Sequence, residues 1–306
     1  MALAALKAKR HVIVDKPLAL NAAEAKQLVQ AARRARVVNA VTFNYRGHPL
    51  VQQMRVMVGR GDVGKLHLIH GRYLQEWLLY DTDFSWRLEA DKAGAAAMIG
   101  DAGSHWFDLA EYVSGARITH VLAELDTTIK SRRKPLTARV AFKAASGKEK
   151  TEAFNVTVPD FGSVLARFDN GAHGVFVNSS LCAGHKNDLR LELHGLKASL
   201  EWQQERPNEL LIGRRDEPNQ TLLKDPSLLD ASIRHYAALP GGHNEAWPDA
   251  FRNLMRDIFT FIAEGRDPAQ ADGIAFPTFA DGHRAACIIE AILQSQQRGK
   301  WTKVHS

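Results

Sequence analysis

Between residues 119 and 215 the chain is a succession of short strand-like runs, and this limits its fold more than any other feature. The runs 138–142, 154–158, 163–168, 172–178, 188–193, 198–202 and 210–213 are apolar or alternating and carry β-branched or aromatic residues. Asp169-Asn170-Gly171 reads as a hairpin turn, because Asn-Gly accepts positive φ at small cost. Turns this short join antiparallel neighbours. A large, mainly antiparallel sheet is therefore predicted.

The first fifty residues follow another pattern. His11 to Val14 is a short apolar run that ends at Asp15-Lys16-Pro17. Asn21 with Glu24 three residues on suggests a helix start, and the helix extends to about Arg36. A second apolar run covers 37–43. Strand, helix, strand in so short a span predicts parallel pairing. The fold class is thus α/β (α+β). Helices are also expected after Pro49, from Gly103 or Ser104 to Val113, and over 247–264 and 278–297. A strand is expected over 63–73 and a last short one near Trp301, while 216–245 reads as loop-rich.

Composition excludes several function classes. Hydrophobic residues make up 45% of 306 and charged residues 24%, which suits a full core. No apolar run reaches the ~18 residues of a membrane helix. At the N-terminus the charges follow the apolar residues, the reverse of a secretory signal, so a cytoplasmic protein with no membrane partner is expected. Net charge is +6, but the basic residues are scattered, and the densest cluster, Arg132-Arg133-Lys134, is read as a loop beside Pro135. No nucleic-acid partner is expected. Cys182 and Cys287 lack CxxC spacing, so no resident metal is expected, and Cys287 reads as a buried thiol.

Gly59-Arg-Gly61-Asp-Val-Gly64 matches GxGxxG. A phosphate-binding turn needs a strand before it and a helix after it. Here the order is reversed, so the glycines read as a helix C-cap and turn.

Three residues suggest chemistry. Lys16 lies at the end of a predicted parallel strand, where α/β proteins bind ligands, and Pro17 restricts its backbone. Asp101 and His105 are four apart and share a face if the stretch is helical. Together they suit alcohol oxidation: the imidazole takes the hydroxyl proton, the ammonium stabilises the alkoxide, and a nicotinamide takes the hydride. Taken singly, Lys16 suits a surface, His105 a satisfied core position under Trp106, and Asp101 a helix cap.

The sequence resembles the Gfo/Idh/MocA family over nearly its whole length. The resemblance rests on Asp15-Lys16-Pro17 for the family's Glu-Lys-Pro, Asp101-Ala-Gly-Ser-His105 for its Asp-x-Gly-x-His, Phe43-Asn-Tyr-Arg46, Trp86-Arg87, and Pro277-Thr-Phe-Ala-Asp-Gly282. Asp15 departs from the usual Glu. The resemblance implies an NAD- or NADP-dependent oxidoreductase of a sugar, polyol or related hydroxyl compound. It implies that Lys16, Asp101 and His105 are catalytic and that Lys16, Pro17, Trp86 and Arg87 lie against the cofactor. Gln75-Glu76-Trp77 would lie near the substrate mouth. Tyr45, Arg46, Trp77 and His243 are the candidate substrate contacts, though such residues also suit ordinary surfaces. Self-association through the open sheet face is expected as well.

The family's opening strand and glycine turn have no counterpart here. Residues 1–46 are accordingly expected to be the C-terminal remnant of a Rossmann domain, and 47–306 a substrate-binding and oligomerisation domain. A misplaced start codon, a fragment or a truncated gene would explain this; sequencing the native N-terminus distinguishes them. Weak dinucleotide binding by these 306 residues alone is expected, and low-micromolar binding would contradict it. The alternative is a non-catalytic remnant that only folds and self-associates.

Overall fold

The computed structural model describes residues 1–136, 150–268, 271 and 273–305. The strand predicted at 138–142 lies outside the described residues. The chain opens with helix α1 (Ala2–Lys7), strand β1 (Val12–Val14), helix α2 (Ala22–Ala35) and strand β2 (Asn39–Val41). Asn21 caps α2, accepting from the Glu24 amide at 2.9 Å. As predicted, β1 and β2 pair in parallel.

Helix α3 (Pro49–Arg60), strand β3 (Leu66–Leu74), the short α4 (Ala90–Ala93) and α5 (Ser104–Ser114) follow. Pro49 stands in the first turn of α3, and Gly61 ends it at φ +81°. The GxGxxG match therefore lies between a helix and a strand, and is no phosphate turn.

The remaining strands are β4 (Ile118–Asp126), β5 (Ser131–Pro135), β6 (Thr151–Asn155), β7 (Phe161–Phe168), β8 (His173–Ser179), β9 (Asp188–Gly195), β10 (Ser199–Gln203), β11 (Glu209–Gly213) and β12 (Gln220–Leu223). Helices α6 (Trp247–Ala263) and α7 (Phe279–Arg298) and strand β13 (Thr302–Lys303) close the chain. Nine strands form one sheet in the order β12-β11-β10-β9-β3-β8-β7-β4-β13. Among the described residues only β3 with β8 is parallel in it. The sheet is mainly antiparallel, as predicted, but no simple meander: β3 enters between β9 and β8, so 173–179 and 188–195 never pair. That partner comes from a hundred residues away, and no local turn signals it.

Two local readings are corrected. Arg132-Arg133-Lys134 is not a loop but lies in β5, paired with β6. Arg132 is buried, its guanidinium donating to the Tyr80 and Asp83 carbonyls at 2.8 and 3.1 Å. Within the loop-rich stretch 216–245, β12 adds an edge strand to β11.

Helices cover one face of the large sheet, where Trp106 and Phe107 of α5 pack against Phe176 of β8. Gly71 on β3 lets this happen, because a Cβ there would stand 2.4 Å from the Trp106 indole nitrogen and 2.0 Å from the Arg190 carbonyl oxygen. The indole instead donates to that oxygen at 3.0 Å. The two C-terminal helices return to the N-terminal strands. Phe279 and Ala285 of α7 join Leu6, Val12, Leu28, Val41 and Phe43 in one core cluster. Leu254, Ile258 and Phe261 of α6 pack with Val38 and Ala40 in another. Phe43, just past β2, meets His105 of α5 edge-on.

Candidate active site

Because β1 and β2 are parallel, the segments leaving them emerge on the same side. Asp15 ties these segments together: its Oδ1 accepts from the Thr42 hydroxyl at 2.6 Å and from the Lys16 amide at 2.9 Å. The Lys16–Pro17 peptide is cis. Lys16 Nζ donates to Asp101 Oδ1 at 2.7 Å and to the Asp101 carbonyl at 2.9 Å.

Asp101 lies in a π-helical turn, Ile99–Gly103, that runs into α5. Such turns recur at functional sites. The turn does what the spacing suggested, since Asp101 and His105 line one cavity. The Asp101 carboxylate bonds Lys16, and its other oxygen lies 3.1 Å from Arg87 Nε. Burial works to raise the Asp101 carboxyl, but Lys16 and Arg87 outweigh it and hold it below the usual range. Asp101 is therefore a carboxylate between two cations, not a helix cap.

His105 is buried, with its ring edge-on to Tyr45 at 4.8 Å and to Phe43 at 5.8 Å. Its Nδ1 is buried without a hydrogen-bond partner. Burial, reinforced by Lys16, pushes its pKa well below the ordinary histidine value. The imidazole is neutral near pH 7 and able to accept a proton.

The cavity has a volume of about 700 Å³. Beside His105, Tyr45, Tyr73 and Asn187 form a closed hydrogen-bond triangle. The two hydroxyls lie 2.8 Å apart, Tyr73 donates to Asn187 Oδ1 at 2.6 Å, and Asn187 Nδ2 lies 3.1 Å from the Tyr45 oxygen. Burial raises both phenol pKa values, so both rings stay protonated. Trp247 and Phe251, one turn apart on α6, line the same space. On the other side of the Lys16–Asp101–Arg87 group lies a second cavity of about 510 Å³, reached by Pro17 and Trp86. The Arg87 guanidinium lies 4.7 Å from the Trp86 ring and 5.9 Å from that of Trp77.

The structure thus brings together Lys16, Pro17, Tyr45, Trp86, Arg87, Asp101 and His105. Trp77 stands one layer back and reaches the larger cavity through Gln75, to which its indole donates at 3.1 Å. Two expected substrate contacts are elsewhere. Arg46 turns away from Tyr45 and is buried against Asp108 (Nε to Oδ2, 2.8 Å) and Asp281 (2.9 Å). The buried Asp108 and the part-buried Asp281 hold that guanidinium, and it lines a separate cavity between α5 and α7. His243 is exposed in the loop before α6, its Nδ1 3.3 Å from the Gly241 carbonyl oxygen, and it lines neither cavity. Tyr73 and Asn187 were not anticipated. Only the pairing of β3 with β9 brings them together, and no short motif encodes that.

Comparison with known proteins agrees with this architecture. Residues 1–43 match the description "Oxidoreductase family, NAD-binding Rossmann fold", and residues 51–201 match "GFO/IDH/MocA C-terminal domain". The levoglucosan dehydrogenase of Pseudarthrobacter phenanthrenivorans is 30% identical over 99% of this chain and 76% of its own. The crystal structure of an oxidoreductase domain protein from Kribbella flavida superposes with a TM-score of 0.86 at 33% identity, over 100% of this chain and 77% of that one. An inositol dehydrogenase homolog from Azotobacter vinelandii, complexed with NADH and myo-inositol, gives 0.83 at 25% identity, over 99% and 74%. Two successive family matches and a relative similar from end to end of these 306 residues place the chain in the Gfo/Idh/MocA family of NAD(P)-dependent oxidoreductases.

Proposed function

We propose that the protein interconverts a hydroxyl and a carbonyl on a sugar, polyol or related cyclic hydroxyl compound, with Lys16, Asp101 and His105 around the reacting carbon. One observation carries this reading: a neutral, buried imidazole and an ion-paired lysine face the same cavity of about 700 Å³. The relatives named above for levoglucosan and myo-inositol support the substrate class, since both compounds are polyhydroxylated rings.

The residues present suit the nicotinamide end of the cofactor. Lys16, Pro17, Trp86 and Arg87 border the second cavity, and Lys16, Arg87 and Asp101 border both. When bound there, a nicotinamide supplies the hydride acceptor or donor. Lys16 Nζ, fixed by two bonds to Asp101, donates to the substrate oxygen and favours its alkoxide character. His105, neutral before turnover, takes the hydroxyl proton. Asp101 positions Lys16 and screens it from Arg87. The Tyr45–Tyr73–Asn187 triangle offers fixed polar atoms to the substrate's other hydroxyls.

We also assign self-association to the open face of the large sheet. Leu122, Leu165 and Val175 stand there in one cross-strand row, with Leu165 44% exposed. Among the described residues no helix is long and apolar enough to cross a membrane, and both cysteines are free, as in a reducing, cytoplasmic compartment. The test of the chemistry is NADH formation from a panel of cyclic polyols at saturating cofactor. Turnover that His105→Ala lowers by about two to four orders of magnitude supports the reading. Turnover unaffected by that change sinks it.

A further inference from the structure

The open face of the large sheet carries a second cluster of chemistry, outside the cavities described above. On β3 and β9, His70 stands opposite Glu192, and His194 lies two residues further along β9. Two-residue spacing puts Glu192 and His194 on one face, and direct pairing puts His70 beside them. This is the face away from the helices, since the next residue, Gly71, lies under Trp106. We propose that His70, Glu192 and His194 form a binding site for a divalent transition-metal ion of the zinc class.

His70 Nδ1 lies 3.6 Å from Glu192 Oε1, and His194 Nε2 lies 3.6 Å from Glu192 Oε2. Both separations are too long for a hydrogen bond. Each histidine nitrogen faces a different oxygen of the one carboxylate, at a separation near the ~3.3 Å between neighbouring donors of an ion with bonds of about 2.0–2.1 Å. One potential donor atom from each of the three residues falls within 4.8 Å of the others.

The ring nitrogens are arranged accordingly. His70 Nδ1 is buried with no hydrogen-bond partner. His194 Nδ1 is engaged by the Ser199 hydroxyl at 2.8 Å, which fixes the ring with Nε2 toward Glu192. Ligating histidines are commonly held in this way through the other nitrogen.

Arg190 is the competitor for Glu192, at 3.1 Å, but it also pairs with Glu201 and so keeps a carboxylate when a metal takes Glu192. Two nitrogens and a carboxylate suit zinc, and copper by affinity order, rather than calcium or magnesium. All three donors come from one chain, so the site needs no partner copy. Cysteine spacing, on which the expectation of no metal rested, is blind to donors brought together by strand pairing. A second grouping, His185, Asp188 and Glu205, is a poorer candidate, because Asp188 already accepts from Arg72 at 2.7 Å and lies 2.7 Å from His185.

The test is calorimetric titration of tag-free, EDTA-dialysed protein with Zn2+, with Co2+ as a visible-absorption probe of coordination. The expected result is one Zn2+ per chain and a tetrahedral Co2+ spectrum. His70→Ala and His194→Ala should each raise Kd by at least roughly tenfold, since even loss of outer-shell partners costs that much. His185→Ala should bind as wild type does. Glu192→Gln, nearly equal in volume, decides the matter if a histidine variant folds poorly, and should weaken binding likewise. Absence of stoichiometric binding, binding unchanged in the His70→Ala/His194→Ala double variant, or binding lost only with His185 would overturn the proposal.

Discussion

At position 105 burial and a neighbouring ammonium act on one imidazole, and both favour its neutral form. His48 shows the burial effect without catalytic neighbours. It is stacked near Tyr45 and Trp202, and burial pushes its pKa down to about 3. In the unfolded chain a histidine takes up its proton near pH 6.5. Below that pH the unfolded state binds one proton more than the folded state, so stability falls as pH falls. Between pH 6 and 5 the wild-type free energy of urea unfolding should therefore drop about 1 kcal/mol more than that of His48→Gln. Equal drops would contradict the buried neutral assignment. The same scale explains which site residues were legible. Lys16, Asp101 and His105 lie in short phrases whose neighbours aim them at one point. Tyr45 and Arg46 are adjacent in a 3-10 turn, Asn44–Gly47, where successive side chains diverge. One enters the cavity and the other is drawn to Asp108 and Asp281.

At the scale of elements, helix ends were readable because they are local. Asn21, Pro49 and Gly61 mark their boundaries through caps and a positive φ. Asn21→Ala should cost about 1 kcal/mol, measured by chemical denaturation, and no loss would mean the cap is dispensable. Sheet order was not local. The insertion of β3 between β8 and β9 depends on residues 100 or more apart, and it creates both the Tyr73–Asn187 contact and the His70–Glu192 pairing. Gly71 is where this strand meets α5. A methyl there must displace both the Arg190 carbonyl and the Trp106 indole. Gly71→Ala should lower stability by roughly 1–3 kcal/mol. An unchanged denaturation midpoint would show that the close approach is not required.

The whole molecule places one site where the N-terminal strands, α5 and the large sheet converge. Helices α6 and α7 clamp the N-terminal strands by packing onto Val38, Ala40 and Phe43. This closure was invisible from sequence, since an amphipathic helix does not say which surface it covers. The sheet's other face stays open, and Leu165→Lys should shift sedimentation toward monomer if assembly occurs there; an unchanged distribution would place assembly elsewhere. The role proposed for Lys16, Asp101 and His105 in hydride-linked chemistry on a cyclic polyol is decided by the rate of NADH formation in wild type, Lys16→Met and His105→Ala at saturating cofactor. The expected result is wild-type turnover with at least one cyclic polyol and a loss of about two to four orders of magnitude in each variant. Turnover within threefold of wild type in both variants would rule that role out.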